Sequence, residues 1–303
     1  MKIFITGGSG FIGSNLAKFF CEKGNEVIIY DHNPPVYLKN LNGLCYINGD
    51  ILDFDKLVSS SLGVDVLIHL AAKGSVIDSI KNPLESMKVN LNGTLNALEA
   101  VKINNIPQMF FSSTAGAFMG NTNPPVNEQS IPSPISNYGA SKGSAELYIS
   151  SYRHLYNLNI IILRFSNVFG RFSLHKNGII TNLIKNNINN IESEIYGNGE
   201  STRDYLHVDD ICNIIDILIK KSFKTSNLFN LGTNIPTSIL TLVDLIENIS
   251  NKKMKLKYKN ARNGEVSFNY VNNKKIVSTT GYKFSKDLEK NLKDLYMWFK
   301  ENI

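Results

Sequence analysis

The chain has 303 residues, 43% of them apolar and 19% charged, with a formal net charge of +6; that length and balance support a sizeable buried core and exclude a disordered chain. Its basic residues are spread along the sequence rather than massed on one segment, which argues against nucleic acid as a partner, and no apolar run approaches the roughly 18 residues a membrane span needs. Cys21, Cys45 and Cys212 are odd in number and far apart, so neither a disulfide framework nor a metal-ligand set is expected; with no signal-peptide pattern, the expected location is the cytoplasm, without membrane contact.

In chain order, short apolar runs alternate with helical periodicity. Strands are predicted at residues 2–6, 26–30, 44–47, 64–70, 108–112 and 159–165, and helices at 10–23, 53–61, 85–104 and 137–156. Runs such as Val66-Leu67-Ile68 are apolar without a break, as expected of strands covered on both faces. Strand, helix, strand in series means a parallel sheet with right-handed crossovers, hence a Rossmann-type doubly wound α/β fold. After Phe165 the rhythm changes. A helix is predicted at 208–221, a strand at 228–231, a helix at 240–249, a strand with one wet face at 252–259 and an amphipathic helix at 286–301. Residues 1–169 and 206–232 are expected to form a dinucleotide-binding domain. Residues 170–205 and 233–303 are expected to form a smaller, interleaved α/β substrate domain.

The first strand runs into Thr6-Gly7-Gly8-Ser9-Gly10-Phe11-Ile12-Gly13, where a helix opens. The glycines allow a tight turn, close approach of backbone to a pyrophosphate and close helix–strand packing. The helix N-terminus offers unpaired N–H groups to phosphates. The second strand ends at Asp31, at the spacing expected of a carboxylate on the adenosine ribose hydroxyls. That carboxylate repels a 2′-phosphate, and no Arg or Lys follows before Lys39, so NAD is expected rather than NADP.

Tyr138-Gly-Ala-Ser-Lys142 opens a helical stretch. Residues i and i+4 share a helix face. A free phenol titrates near 10; an ammonium beside it, and a positively charged nicotinamide ring, both favour the phenolate. The pair is therefore read as a base for a sugar hydroxyl. Ser113 and Thr114 follow a strand and are placed to hydrogen-bond the reacting oxygen, or to cap the next turn.

This ordered set resembles the extended short-chain dehydrogenase/reductase family, in its NAD-dependent nucleotide-sugar epimerase/dehydratase branch. The likeness also takes in Gly49-Asp50-Ile51, His69-Leu70-Ala71-Ala72, Asn90-Leu-Asn-Gly-Thr94, Leu163-Arg-Phe-Ser-Asn-Val-Phe-Gly170 and Tyr196-Gly-Asn-Gly-Glu-Ser-Thr-Arg-Asp-Tyr205. It implies that Gly7, Gly10, Phe11, Ile12, Gly13 and Asp31 hold NAD, with Asp50 and Ile51 at the adenine. Leu70, Ala71, Ala72, Lys73, Asn90, Ser112, Tyr138, Lys142 and Phe165 would lie along the rest of the cofactor. It implies Thr114, Tyr138 and Lys142 as catalytic. Ser113, Thr114, Asn167, Tyr196, Arg203 and Arg262 would meet a nucleotide-sugar substrate, expected to be UDP-linked. Where relatives carry tyrosine before the glycine of the Ser113–Gly120 turn, this chain has Met119, and Lys73 replaces a residue that is often uncharged.

Within that branch, dehydratases carry Asp-Glu after the catalytic Thr. Here Thr114 is followed by Ala115-Gly116-Ala117. The resemblance therefore implies a UDP-hexose 4-epimerase, with UDP-glucose and UDP-N-acetylglucosamine as candidate substrates. The alternatives are a 4-keto-sugar reductase or dehydratase, and a non-catalytic dinucleotide sensor. It also implies a homodimer formed through a four-helix bundle of helices 85–104 and 137–156.

Overall fold

The computed structural model describes residues 1–221, 228–261, 266 and 268–303. Its elements run β1 (Lys2–Thr6), α1 (Phe11–Glu22), β2 (Glu26–Asp31), β3 (Leu44–Asn48), α2 (Phe54–Ser60), β4 (Val66–His69), α3 (Val76–Lys81) and α4 (Pro83–Met87). A π-helical turn (Lys88–Asn92) leads into α5 (Gly93–Ile103), β5 (Gln108–Thr114), α6 (Ala115–Met119), α7 (Asn137–Tyr156), β6 (Ile160–Phe165) and β7 (Asn167–Phe169). Then come α8 (Ile179–Asn189), β8 (Ser193–Tyr196), β9 (Thr202–His207), α9 (Val208–Lys220) and β10 (Leu228–Leu231). The chain ends with β11 (Pro236–Ser238), α10 (Ile239–Ser250), β12 (Leu256–Lys259), β13 (Phe268–Asn269), α11 (Lys274–Thr280) and α12 (Leu288–Asn302).

Among the described residues the large sheet has seven strands in the order β10-β6-β5-β4-β1-β2-β3, all neighbours parallel. From the adjacent pair β1 and β4 the chain winds outward in opposite directions. Loops leaving their carboxyl ends diverge and open a crevice, the ligand position of a doubly wound sheet. This is the Rossmann-type fold the strand–helix alternation predicts. Both sheet faces are covered. Ile3, Ile5, Phe110 and Leu163 pack with Leu16 and Phe20 of α1 and Ile211 and Ile215 of α9. Phe4, Leu67, Phe111 and Ile162 pack with Leu98 and Val101 of α5 and Ala145 and Ile149 of α7. Each such side chain contributes about 1.5–3 kcal/mol through burial, which is why the strands are apolar at successive positions.

A separate core joins Phe169 and Ile195 to Ile184 of α8, Leu242 and Ile246 of α10, and Leu295 and Phe299 of α12. Beside it β9 pairs with β7, β11 and β13. The segment between these parts returns to the large sheet: β10 adds beside β6, and α9 joins the first core. Ile276 of α11 also lies in that first core.

Two elements differ from the sequence reading. The helix expected over 85–104 is interrupted by the π-helical turn Lys88–Asn92. There Thr94 donates from its hydroxyl to the Asn90 carbonyl at 2.6 Å, a side-chain bond that competes with helical geometry, and Asn90 is turned into the interior. The strand expected to have one wet face is exposed at Lys257, Tyr258 and Lys259. Among the described residues β12 has one neighbour, β8, and so forms an edge.

At the end of β4, His69 is fully buried between the hydroxyls of Thr6 (2.7 Å) and Thr94 (3.1 Å). Burial first, and the Lys142 charge second, push it from 6.5 down to about 3. Because the folded value lies below the unfolded one, the unfolded chain takes the proton first. The stability of the neutral ring is whole above pH 6.5 and is lost as pH falls towards 3. Denaturant midpoints of His69→Gln, measured at pH 7 and 4.5, should therefore differ less than those of the wild type.

Candidate active site

The glycine turn closes the carboxyl end of β1. Gly7 has a φ of +69°, and Gly10 is the N-cap of α1. A Cβ on Gly13 would stand 2.4 Å from the Gly7 carbonyl oxygen and 2.6 Å from the Gly8 Cα. Glycine is therefore what brings α1 down onto the strand, with Phe11 buried and Ile12 packed against the sheet core. Asp31, at the end of β2, accepts from the backbone N–H of Ser9 (3.1 Å) and of Asn33 (3.0 Å). It locks the turn to the second strand, and a carboxylate with two such bonds keeps acceptor capacity for a ligand.

The other expected cofactor residues lie along the same sheet edge. Asp50 accepts from Leu52 N–H at 2.9 Å, and Ile51 is buried in the core beside Gly93. Leu70 donates its N–H to the Thr6 carbonyl at 3.1 Å, Ala71 donates to the Thr6 hydroxyl at 3.4 Å, and Ala72 is partly exposed. Asn90 is committed to protein partners. It accepts from Lys73 N–H (2.7 Å) and donates to the Lys73 carbonyl (3.3 Å) and the Ser141 hydroxyl (3.0 Å). It thus braces the 71–73 segment against the helix carrying Tyr138. The Lys73 ammonium pairs with Glu85 at 3.1 Å on the surface. Ser112 donates to the His69 carbonyl at 3.0 Å, and the Phe165 side chain is buried in the sheet core.

Helix α7 presents the expected proton-handling pair. Its N-cap Ser136 accepts from Gly139 N–H at 3.1 Å, and Tyr138 N–H donates to Ser79 at 3.1 Å. A Cβ on Gly139 would lie 2.0 Å from the Ala117 carbonyl oxygen. The glycine lets α6, and Thr114 at its N-cap, pack directly against the turn that holds Tyr138. The Thr114 hydroxyl accepts from Ala117 N–H at 3.3 Å, which leaves its own proton available to donate. Lys142 is 2% exposed, with Nζ 4.0 Å from the centroid of the Phe111 ring.

Burial sets the titration of this pair. It pushes the Tyr138 phenol up to about 12. It pushes the Lys142 ammonium down to about 7, with attraction from Glu146 acting the other way.

One expectation is corrected and another falls elsewhere. Ser113 does not share the Thr114 face, because side chains alternate along a strand. It is buried and donates to Glu146 at 2.5 Å. Met119 lies in a small core with Ala115, Val126 and Val271. Arg262 lies outside the described residues. Of the other substrate candidates, Asn167 on β7 donates to the Asp204 carbonyl at 3.5 Å, and Arg203 on β9 donates to the Thr202 carbonyl at 2.9 Å. Tyr196 donates to Glu194 at 2.9 Å and, with Tyr258, Lys259 and Asn260, borders an open hollow of about 640 Å³.

Sequence reasoning missed two residues here. Buried Asp204 accepts from Thr233 N–H (2.8 Å), the Thr233 hydroxyl (2.7 Å) and Asn234 N–H (3.0 Å), tying β9 to the segment after β10. Asn269, beside Arg203 in register, is 1% exposed, and neither amide atom has a hydrogen-bond partner among the described residues. Its oxygen faces Gly116, where a Cβ would meet it at 3.5 Å. No local pattern announces either residue, since both act through contacts distant in sequence.

A glycine cradle at a switch point and an acid closing the second strand, with a tyrosine–lysine helix beside them, are the features of a dinucleotide-dependent enzyme. The chain belongs to the NAD-dependent epimerase/dehydratase family, whose model matches residues 3–232. It is similar to a UDP-glucuronate 4-epimerase of Thermodesulfobacterium geofontis, with 29% identity over 313 residues, 99% of this chain and 96% of the relative. The UDP-glucose 4-epimerase of Thermotoga maritima, solved with UDP-glucose, superposes with a TM-score of 0.93 at 30% identity, covering 100% and 99% of the two chains. A UDP-N-acetylglucosamine 4-epimerase of Methanobrevibacter ruminantium, solved with UDP-N-acetylmuramic acid, gives 0.92 at 28% identity, covering 100% and 99%.

The cradle predicts a clean steric test. Gly13→Ala should cost about 2 kcal/mol of stability, the scale of overpacking a tight contact. It should also lower the NAD content of the purified protein, read by melting temperature and by mass spectrometry of released dinucleotide.

Proposed function

We propose that the protein interconverts the C4 epimers of a UDP-linked hexose, UDP-glucose or UDP-N-acetylglucosamine, by transient oxidation at C4. The observation that carries this reading is the placement of Tyr138 and Lys142 on α7, packed through Gly139 against the turn bearing Thr114. Bound at the glycine cradle, NAD supplies a reversible hydride acceptor and a positive ring charge. Gly7, Gly10, Phe11, Ile12 and Gly13 fit its diphosphate and Asp31 its adenosine ribose. Asp50 and Ile51 flank the adenine, and residues 70–73, Ser112, Lys142 and the Phe165 backbone follow the sheet edge.

Tyr138 takes the proton of the C4 hydroxyl, and Thr114 donates a hydrogen bond to the same oxygen, stabilising its charge as the C4–H bond breaks. Tyr138 returns the proton to the same oxygen once the 4-keto sugar has turned over, when the cofactor would give hydride back to its other face. No oxidant is consumed. Lys142 holds the tyrosine in its reactive form. Asn167 and Arg203 are assigned to the substrate diphosphate, where a guanidinium fork suits phosphate oxygens, and Tyr196 to the nucleoside. Asn269 offers an unpaired amide towards the sugar. The core built from α8, α10 and α12 serves as the substrate domain. Ala115-Gly116-Ala117 supplies no carboxylate for dehydration.

Purified enzyme without added cofactor should convert UDP-glucose or UDP-N-acetylglucosamine to its 4-epimer, followed by chromatography and NMR. A requirement for stoichiometric NAD(P)H would identify a reductase instead. Tyr138→Phe should lower kcat by about 10²–10⁴-fold while bound NAD is retained; full activity in that variant would overturn the assignment.

The outer faces of α4 and α7 leave Leu84 (78%), Met87, Leu147 (73%), Tyr148 and Leu155 (64%) exposed. The two helices pack against each other. Apolar surface of this kind marks an interface, and a homodimer sharing a four-helix bundle fits it. Leu147→Lys with Leu155→Lys should convert a dimer to monomer in sedimentation velocity; a wild type that sediments as a monomer rejects the interface.

A further inference from the structure

Ser113, Glu146 and Arg164 form a charged cluster that the proton chemistry above leaves unused. The three are 4%, 7% and 6% exposed. Arg164 donates from Nε to Glu146 Oε1 at 2.9 Å and from Nη2 to Oε2 at 2.6 Å, while Ser113 donates to Oε1 at 2.5 Å. Ser113 and Arg164 are cross-strand partners on β5 and β6, and the Phe118 ring lies 5.0 Å from the guanidinium. A buried ion pair is a weak source of stability, because desolvation consumes most of its Coulombic gain. Its position is more informative. Glu146 follows Lys142 by four residues on α7, one turn along the same face.

The groups around Lys142 are few. Tyr138 and Glu146 stand on its own helix, with Arg153 further along. Neutral His69 lies on β4, apolar Phe111 on β5, and Arg164 on β6 behind Glu146. Among the described residues Glu146 is the carboxylate whose charge acts on the lysine.

We propose that Glu146 is a positioning residue of the reaction: clamped by Arg164 and Ser113 one turn beyond Lys142, its carboxylate supplies the counter-charge that keeps the lysine an ammonium in an apolar enclosure. The proposal rests on the epimerase reading for its kinetic consequence alone. Burial drives Lys142 towards the neutral amine and Glu146 opposes it. The ammonium is the form that favours the phenolate. Removing the carboxylate lowers the pH at which Lys142 loses its proton, so activity fails at lower pH on the alkaline side. The two-pronged clamp fixes the carboxylate in place, so the Lys142 titration becomes a property of the fold.

The test uses the holoenzyme and two variants, Glu146→Gln and the double variant Glu146→Gln with Arg164→Gln. The second removes both charges, so that no buried guanidinium is left unpaired. Two readouts are taken. One is the pH profile of kcat. The other, independent of turnover, is the titration of Lys142 followed by NMR of protein labelled at the lysine ε-carbon and assigned with Lys142→Met. In Glu146→Gln the Lys142 titration and the alkaline limb of kcat should move down by about one pH unit or more, a tenfold loss of the ammonium form at fixed high pH, and in the double variant by less, because loss of the Arg164 cation acts the other way. Glu146→Asp should restore part of the shift. Folded variants whose Lys142 titration is unmoved overturn the proposal, as does a kcat lowered equally at every pH. A wild type that turns over no UDP-sugar, with the Lys142 titration shifted in the variants, rejects the epimerase reading and leaves the counter-charge standing.

Discussion

Exclusion of water from the space between β4, β5 and α7 governs the chemistry of this protein. The Lys142 ammonium, buried there, is driven down to about 7, and burial likewise raises the partly exposed Tyr138 phenol to about 12. On the proposed mechanism the groups that support proton transfer are therefore fixed partners. Those partners are few and individually placed. Glu146 lies one turn along α7, and the Thr114 hydroxyl stands at the end of β5. His69 on the neighbouring strand is kept neutral, so that no second cation competes with Lys142. Desolvation also makes each remaining charge act more strongly, because the surrounding dielectric is low.

The fold delivers those partners through close backbone packing. Gly13 lets α1 descend on the first strand, and Gly139 lets α6 press against the start of α7. A methyl group at either position would separate elements that must touch. Buried polar bonds then tie the two halves of the site together. His69 links the end of β1 to α5 through Thr6 and Thr94, and Asn90 links the 71–73 segment to Ser141 on α7. The glycine turn and the tyrosine helix, about 130 residues apart in sequence, are held in one register by these buried and partly buried hydrogen bonds.

Around β9 the same logic operates. Asp204 gathers three donors from the segment after β10 and fixes β9, which presents Arg203 beside Asn269. Asn269 stands out because its amide is enclosed without a partner among the described residues. Buried polar groups are almost always paired, and this amide lies beside Gly116 of the turn that follows Thr114.

The linear chain by itself determined the parallel sheet, its glycine turn, Asp31 at the end of β2 and the Tyr138–Lys142 helix. Each of these is written in local periodicity or in spacings of a few residues, where the backbone alone fixes geometry. Tertiary structure decided the rest. It turned Ser113 away from Thr114 to Glu146, because alternation along β5 depends on where the strand begins. It broke the helix expected over 85–104 at Asn90, because a buried amide must find partners on other elements. It also set how far Lys142 is buried, because desolvation depends on how many distant side chains close over a group, and no stretch of sequence reports that number.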